Sequence, residues 1–383
     1  MKPYLDYAST TPINKEVLKE MEPYLKEEYG NPSSLHELGR KAKRAIDKAR
    51  KRAAKFLSSD EEEIIFTGSA SESNNTAIRG LVKGIKQEKI HIITTQIEHK
   101  AVLETCEDIE SENIEVTYLP VNKEGLIKID DLTASIKPET RLISVMYVNN
   151  EMGAIQPIKE IGKKIEEINK ERKDKIYFHT DAVQAANWLD CNTKELKVDL
   201  LTLSSHKIYG PKGVGLLYIK KGTPIKPLIT GGAQEWKLRA GTENVSGIVG
   251  MGKAIELIQK NTNKKIEFIK SKLIERVLKI PGSQLNTPKQ SAPHIANFSF
   301  KGVEGEGLLI LLDDKGIAVS TGSACTSVSL SPSHVLMAMG SSELEAHSSI
   351  RVSLGNQTTE EEIEYFLKIL PESLKKLRRI SGR

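Results

Sequence analysis

A large, mostly parallel α/β sheet domain followed by a smaller α+β domain is the fold class that this sequence predicts. Two observations carry it. Short apolar runs alternate with helical periodicities up to about residue 255, and beyond that point a long Lys-rich helix, short strands and a closing helix follow.

The elements follow in order. Ile13, Val17, Met21 and Leu25 recur every four residues ahead of Gly30-Asn31-Pro32, which predicts an amphipathic helix within 12–29 and its stop. Leu38, Ala42, Ala45, Ile46, Ala49, Ala53 and Phe56 make the next helical face, and 63–67 reads as a buried strand. Further strands are expected at 91–95, 116–119, 142–148, 176–178, 200–203 and 214–219, with Ile158, Ile161, Ile165 and Ile168 marking a helix face between the third and fourth of these. In the second part, Ile266, Ile269, Leu273 and Val277 predict a long helix, and 295–300 and 350–354 predict strands. Thr358-Thr359-Glu360-Glu361 resembles a capping box opening a last helix, which buries Ile363, Phe366, Leu370 and Leu374 and is expected to kink at Pro371.

Composition narrows the function classes. The 383 residues suggest two or three domains at about 150 residues each. Lys and Arg (56) outnumber Asp and Glu (51) by only five, with no basic block, so direct nucleic-acid binding is not expected. The start, MKPYLDYASTTP, has no apolar signal core, and the longest aliphatic run, 308–312, is far short of the roughly 20 residues needed to cross a bilayer. No membrane association is therefore expected. Cys106, Cys191 and Cys325 are odd in number and widely spaced, which provides neither a disulfide framework nor a CxxC metal site and fits a reducing cytoplasm.

Six segments carry chemistry. Ser204-Ser205-His206-Lys207 places a lysine at the end of a buried strand, where it is costly unless solvated, paired or used as an amine nucleophile; snorkelling is the bland alternative. Gly68-Ser69-Ala70-Ser71-Glu72 is a small-residue turn into a helix, either a phosphate site or an ordinary Ser N-cap. His99, just past one strand, and Asp181 with Gln184, past another, fall at the carboxyl edge of a parallel sheet, where ligands bind; a structural His and a capping Asp are the alternatives. Cys325 is flanked by Gly, Ser, Thr and Ala, as expected of an accessible thiol on a polar loop, and Arg351 inside an apolar strand needs an anionic partner, either a substrate carboxylate or an internal carboxylate.

Taken in this order, from Leu5-Asp6-Tyr7-Ala8 and Gly30-Asn31-Pro32-Ser33-Ser34 to Thr359-Glu360-Glu361-Glu362-Ile363, the segments resemble the cysteine desulfurases of the NifS/IscS group. These are class V aminotransferase relatives among the pyridoxal-phosphate (PLP) enzymes of fold type I. The resemblance implies a large domain over 14–258 and a small one formed by 1–13 with 259–383. It implies Lys207 as the Schiff-base lysine, His99 stacked on the pyridine ring, Asp181 at the ring nitrogen and Gln184 at the ring hydroxyl. It places Ala70, Ser71, Ser204 and His206 at the phosphate, with Thr242 lent by the second subunit of a homodimer. Cys325 is implied as the sulfur acceptor, and Arg351 with Asn150 as the site for the carboxylate of L-cysteine. The implied onward partner is an iron-sulfur scaffold or another sulfur acceptor.

Three departures stand out: Ser71 replaces the usual Thr, Trp236-Lys237 replaces Arg-Gly, and the chain ends at Arg383 without the longer tail by which some relatives dock a scaffold. A selenocysteine lyase or another class V enzyme shares Lys207, Asp181 and His99; the Cys325 loop discriminates. A non-catalytic sulfur carrier is disfavoured by Lys207, Asp181, Cys325 and Arg351 occurring together.

Overall fold

The computed structural model describes residues 2–258, 263–321 and 331–380. The chain opens with α1 (Lys15–Lys26) and α2 (Glu37–Leu57), then runs through β1 (Ile64–Thr67), α3 (Ala70–Gly84), β2 (Ile90–Thr95), α4 (Lys100–Ile109), β3 (Ile114–Leu119), α5 (Ile129–Ala134), β4 (Thr140–Ser144), α6 (Ile158–Asn169) and β5 (Tyr177–Asp181). It continues with α7 (Thr193–Leu196), β6 (Leu200–Ser204), β7 (Gly215–Ile219) and α8 (Val245–Glu256). The second part holds α9 (Asn263–Val277), β8 (Ser283–Leu285), β9 (Ile295–Phe300), α10 (Gly305–Asp314), α11 (His334–Ala338), α12 (Glu343–His347), β10 (Ser349–Ser353) and α13 (Glu360–Ile380).

Among the described residues the larger sheet has the order β1-β7-β6-β5-β4-β2-β3. All its strands run parallel except β7, which is antiparallel to both neighbours. The segment between β6 and β7 is too short for a crossover helix, so the chain must return in the opposite direction. Strands β4, β5, β6 and β7 are buried nearly throughout, as expected where helices cover both faces, whereas β3 at the edge is only half buried. Ile143, Phe178, Leu201 and Leu216 anchor the core on one face, and Ile92, Leu142, Leu200 and Leu217 that on the other. Each such buried side chain contributes about 1.5–3 kcal/mol.

The opening helix is shorter than its periodicity. Asn14 caps it by accepting from Glu16 N (2.8 Å), and only Val17 and Met21 of the four apolar positions are buried; Ile13 and Leu25 are 40 % and 59 % exposed. The reason is that α1 packs on α8 over a short contact, where a Cβ on Gly250 would lie 2.6 Å from Met21 Sδ. The strand expected over 142–148 ends at Ser144, and the chain then turns around Asn149, whose Oδ1 accepts from Glu151 N (2.9 Å) and Met152 N (3.1 Å).

The smaller sheet is antiparallel, β10-β9-β8, and its core joins Phe298, Phe300, Ile350 and Val352 to the apolar faces of α9, α10 and α13. Leu5 belongs to this core: Leu5 N donates to Ala318 O and Leu5 O accepts from Ser353 N, both at 2.8 Å. The last helix is capped by Thr359 with Glu362 rather than Glu361 (Thr359 N to Glu362 Oε2 3.0 Å, Glu362 N to Thr359 Oγ1 3.3 Å), and it continues through Pro371.

Candidate active site

A cavity of about 480 Å³ opens at the carboxyl ends of β4, β5 and β6, where the segment after Leu5 passes between the two sheets. Ala70, Ser71, His99, Asn150, Asp181, Gln184, Ser204, His206, Lys207 and Arg351 all border it. Thr242 does not; it lines a neighbouring pocket of about 160 Å³ beside Gly68 and Arg239. Cys325 lies outside the described residues.

Lys207 closes a short 3₁₀ turn directly after β6, and its Nζ donates to Ala8 O (2.6 Å) and Ser9 O (2.7 Å). The amine is thus solvated by backbone carbonyls at the cavity wall. Its neighbour His206 meets Thr10 Oγ1 through Nδ1 (3.1 Å), and burial, aided by Lys207 and Lys212, pushes its imidazole down to about 4, so that it is neutral near pH 7.

Asp181 ends β5. Its Oδ1 accepts from Val183 N (3.0 Å), the local cap that the sequence allowed, and its Oδ2 accepts from Asn74 Nδ2 (2.7 Å). The sequence reading missed Asn74, although it stands four residues after Ala70 and therefore on the same helix face. His99 is the N-cap of α4, with Nδ1 accepting from Ala101 N (3.1 Å), so the neutral ring carries its proton on Nε2. Gln184 donates from Nε2 to Ala8 O (2.9 Å).

Arg351 is 2 % exposed and has the internal partner that the sequence left open. Its NH2 group donates to Asp6 Oδ1 (2.9 Å) and Ser9 Oγ (2.7 Å), and its NH1 group donates to Asn150 O (2.8 Å). Its Nε is buried with no hydrogen-bond partner among the described residues, so the guanidinium retains donor capacity beside the cavity. Asp6 was not legible as that partner, because it lies 345 residues away in sequence.

The site fits PLP on its own features. The α3 N-terminus brings the first-turn amides of Ala70 and Ser71 to the cavity edge while Ser69 caps Glu72 N, an arrangement suited to phosphate. An amine, a carboxylate and an amide face the rest of the cavity, and Asn74 Oδ1 is buried without a partner among the described residues.

The unusual Trp236-Lys237 also has a structural account. Glu235, Trp236 and Lys237 take φ values of 44°, 58° and 66°, each costing about 1–2 kcal/mol for an L-residue. Buried Arg50 offsets this by gripping Glu235 through two bonds (2.7 and 2.8 Å) and by lying 5.4 Å from the Trp236 ring centre, and Glu235 Oε2 accepts from Phe66 N of the edge strand β1 (2.8 Å).

Beside His99, Glu98 is fully buried. Its Oε1 accepts from Thr95 Oγ1 and Met146 N, both at 2.8 Å, and burial raises its carboxyl to about 8. Because the folded value lies above the unfolded one, the stabilising effect of this group is complete at low pH and is lost as pH rises through about 8. Glu98→Gln is therefore expected to melt near wild type at about pH 5 and increasingly above it towards about pH 9. Calorimetry across that range checks this; parallel melting curves would remove Glu98 as a buried titrating group.

Comparison with known proteins agrees with this geometry. The aminotransferase class-V family profile matches residues 3–366. A cysteine desulfurase IscS of Dictyoglomus turgidum is 51 % identical over 383 residues, covering 99 % of this chain and 96 % of that protein. A solved NifS-like protein superposes with a TM-score of 0.92 at 39 % identity, covering 98 % of this chain and all of the other. The structure described as SspA in complex with cysteine gives a TM-score of 0.83 at 39 % identity, covering 94 % of this chain and all of the other. With near-complete coverage on both sides and a lysine-bearing cavity at the strand ends, this chain belongs to the class V aminotransferase family and, within it, to the cysteine desulfurases of the IscS/NifS group.

Proposed function

We propose that this chain is a PLP-dependent cysteine desulfurase that converts L-cysteine to L-alanine and leaves the sulfur as a persulfide on Cys325. The observation supporting this reading of the site is the convergence of Lys207, Asp181 and Arg351 on one cavity. When bound there, PLP supplies the electron sink that makes the substrate Cα–H acidic.

The chain's own residues do the rest. The first-turn amides of α3, with Ser71, Ser204 and His206, hold the phosphate, where His206 serves as a neutral hydrogen-bonding group. Asp181, clamped by Asn74 and Val183 N, holds a proton on the ring nitrogen. Gln184 donates to the ring hydroxyl oxygen. Arg351, its plane set by Asp6, Ser9 and Asn150 O, binds the substrate carboxylate. Lys207 carries the cofactor and removes the Cα proton, and His99 moves protons within the cleft. The Cys325 thiolate then attacks the substrate sulfur: an S–S bond forms, the C–S bond breaks with its electron pair left on Cβ, and protonation of Cβ together with return of a proton to Cα from Lys207 yields alanine.

The larger assembly follows from the same reading. Thr242, in a separate pocket next to the phosphate end of α3, completes the partner's phosphate site in a homodimer, and exposed Leu18, Leu25, Tyr29 and Leu35 supply apolar surface for the contact. Residues 14–258 form the large unit, and 1–13 with 259–383 form the small one. Among the described residues no helix is long and apolar enough to cross a membrane. The buried thiols of Cys106 and Cys191 suit the cytoplasm, where an iron-sulfur scaffold or another thiol protein takes the persulfide sulfur.

The test is to supply cysteine and a thiol reductant to the PLP-loaded chain. Alanine and sulfide are expected in equal amounts; production of neither, with the cofactor bound, overturns the assignment.

A further inference from the structure

His294 lies just before β9 and is 2 % exposed, stacked on Trp188 with ring centres 4.7 Å apart and planes 12° apart. Its Nε2 is 3.2 Å from Gln184 Oε1, and its Nδ1 is buried with no partner among the described residues. The other end of the same amide, Gln184 Nε2, donates to Ala8 O (2.9 Å), the oxygen that also accepts from Lys207 Nζ (2.6 Å). The Gln184 NH₂ group therefore lies next to the Lys207 amine. Gln184, His294 and Lys207 also border one small pocket of about 10 Å³.

These contacts admit one proton arrangement. Ala8 O only accepts, so the Gln184 NH₂ faces it and Oε1 faces the imidazole. Oε1 also only accepts, so His294 carries its single proton on Nε2 and leaves a lone pair at Nδ1. The opposite arrangement sets oxygen against oxygen at Ala8 and buries an unpaired N–H at Nδ1, which is worse on both counts. Burial keeps the ring neutral, and Lys270, Arg351 and Lys207, the charged groups that act on it, all oppose a second proton. Nothing in the sequence near Pro293-His294 marks this role, because Gln184 is 110 residues away.

We propose that His294 is a positioning residue for the cofactor site: its Nε2–H holds the Gln184 carbonyl, so that the amide presents N–H, not oxygen, to the ring oxygen of bound PLP. This rests on the placement of Gln184 at that ring oxygen given above. One amide N–H is taken by Ala8 O, and the second remains for the ring. Donation to that oxygen stabilises its ionised form and lowers the pH at which the visible absorption of bound PLP titrates. Without His294 the buried Gln184 carbonyl loses its donor, and the amide is no longer held in this orientation.

The test uses the PLP-loaded chain and reads its visible spectrum against pH. His294→Phe keeps the stack on Trp188 but has no donor; His294→Asn is smaller, stays polar and is too short to reach Gln184. Both are expected to raise the titration midpoint by about one pH unit. His294→Gln restores an N–H at the Nε2 position and is expected to return the midpoint to that of wild type. Midpoints unchanged in Phe and Asn, or a His294→Gln shift as large as that of Phe, overturn the role of His294 while leaving the enzyme assignment intact. A wild-type chain that binds no PLP overturns the site reading itself, and this proposal with it.

Discussion

Lys207→Ala is expected to leave the chain folded, to abolish covalent attachment of PLP and to reduce desulfurase turnover by about 10⁴-fold or more. The fold should persist because Lys207 is not part of a packed core. Its amine donates to Ala8 O and Ser9 O at the wall of an open cavity of about 480 Å³, where water can replace it. PLP should still bind noncovalently, since the α3 amides, Ser204, His206 and Asp181 are untouched. Turnover should fail because among the described residues no other amine occupies this position: Lys212 borders the cavity, but the shared carbonyl acceptor sets Lys207 beside Gln184. Dialysis under denaturing conditions, followed by mass spectrometry of the chain with and without borohydride, separates the two forms of attachment. A variant that keeps covalent PLP and normal alanine production would remove Lys207 from its role.

Cys325→Ser is expected to bind PLP and melt like wild type, yet release sulfide from cysteine about 10³-fold more slowly. A thiol with an ordinary pKa near 8.5 supplies a useful thiolate fraction at neutral pH, and a serine hydroxyl supplies almost none. If Cys325 were instead a packed core thiol, the same substitution would act on stability, costing about 1–3 kcal/mol for a buried unpaired hydroxyl. Cys106 and Cys191 are the controls, because both are buried, and burial pushes the Cys106 thiol up to about 12, out of reach of ionisation at neutral pH. Their serine variants should keep their kinetics. After a short cysteine pulse, peptide mass spectrometry should find one added sulfur on the Cys325 peptide. Persulfide only on Cys106 or Cys191, or undiminished sulfide release by Cys325→Ser, would overturn the mechanism.

Much of the site was legible because it lies where local pattern and chemistry coincide. A lysine after a buried strand, a Ser-rich turn into a helix, and a His and an Asp past strand ends are readable without knowing what packs where. For several residues the alternatives weighed from sequence prove not to exclude each other. Asp181 is both a local cap and a cavity carboxylate, His99 both an N-cap and a cavity wall, and Arg351 both internally paired and partly available. One polar group can satisfy the backbone with one atom and face a ligand with another. At strand ends, therefore, a capping role and a ligand-facing role coexist in one residue.

By itself the sequence determined what depends on local period and turn chemistry: the alternating strands and helices, the buried faces of α2, α6 and α9, the strand 295–300, and the order of the functional segments. Only the tertiary structure decided what depends on which distant segments meet. It reversed β7 against its neighbours, left Ile13 and Leu25 exposed on a helix that packs on α8, and brought Asp6 to Arg351, Asn74 to Asp181, Ala8 to Lys207 and His294 to Gln184. The physical reason is that a helix or strand pattern is set by interactions between near neighbours, whereas the partner of a buried polar group is set by the packing of whole elements. Hydrogen-bond satisfaction within the packed chain selects that partner, and sequence spacing carries no trace of it.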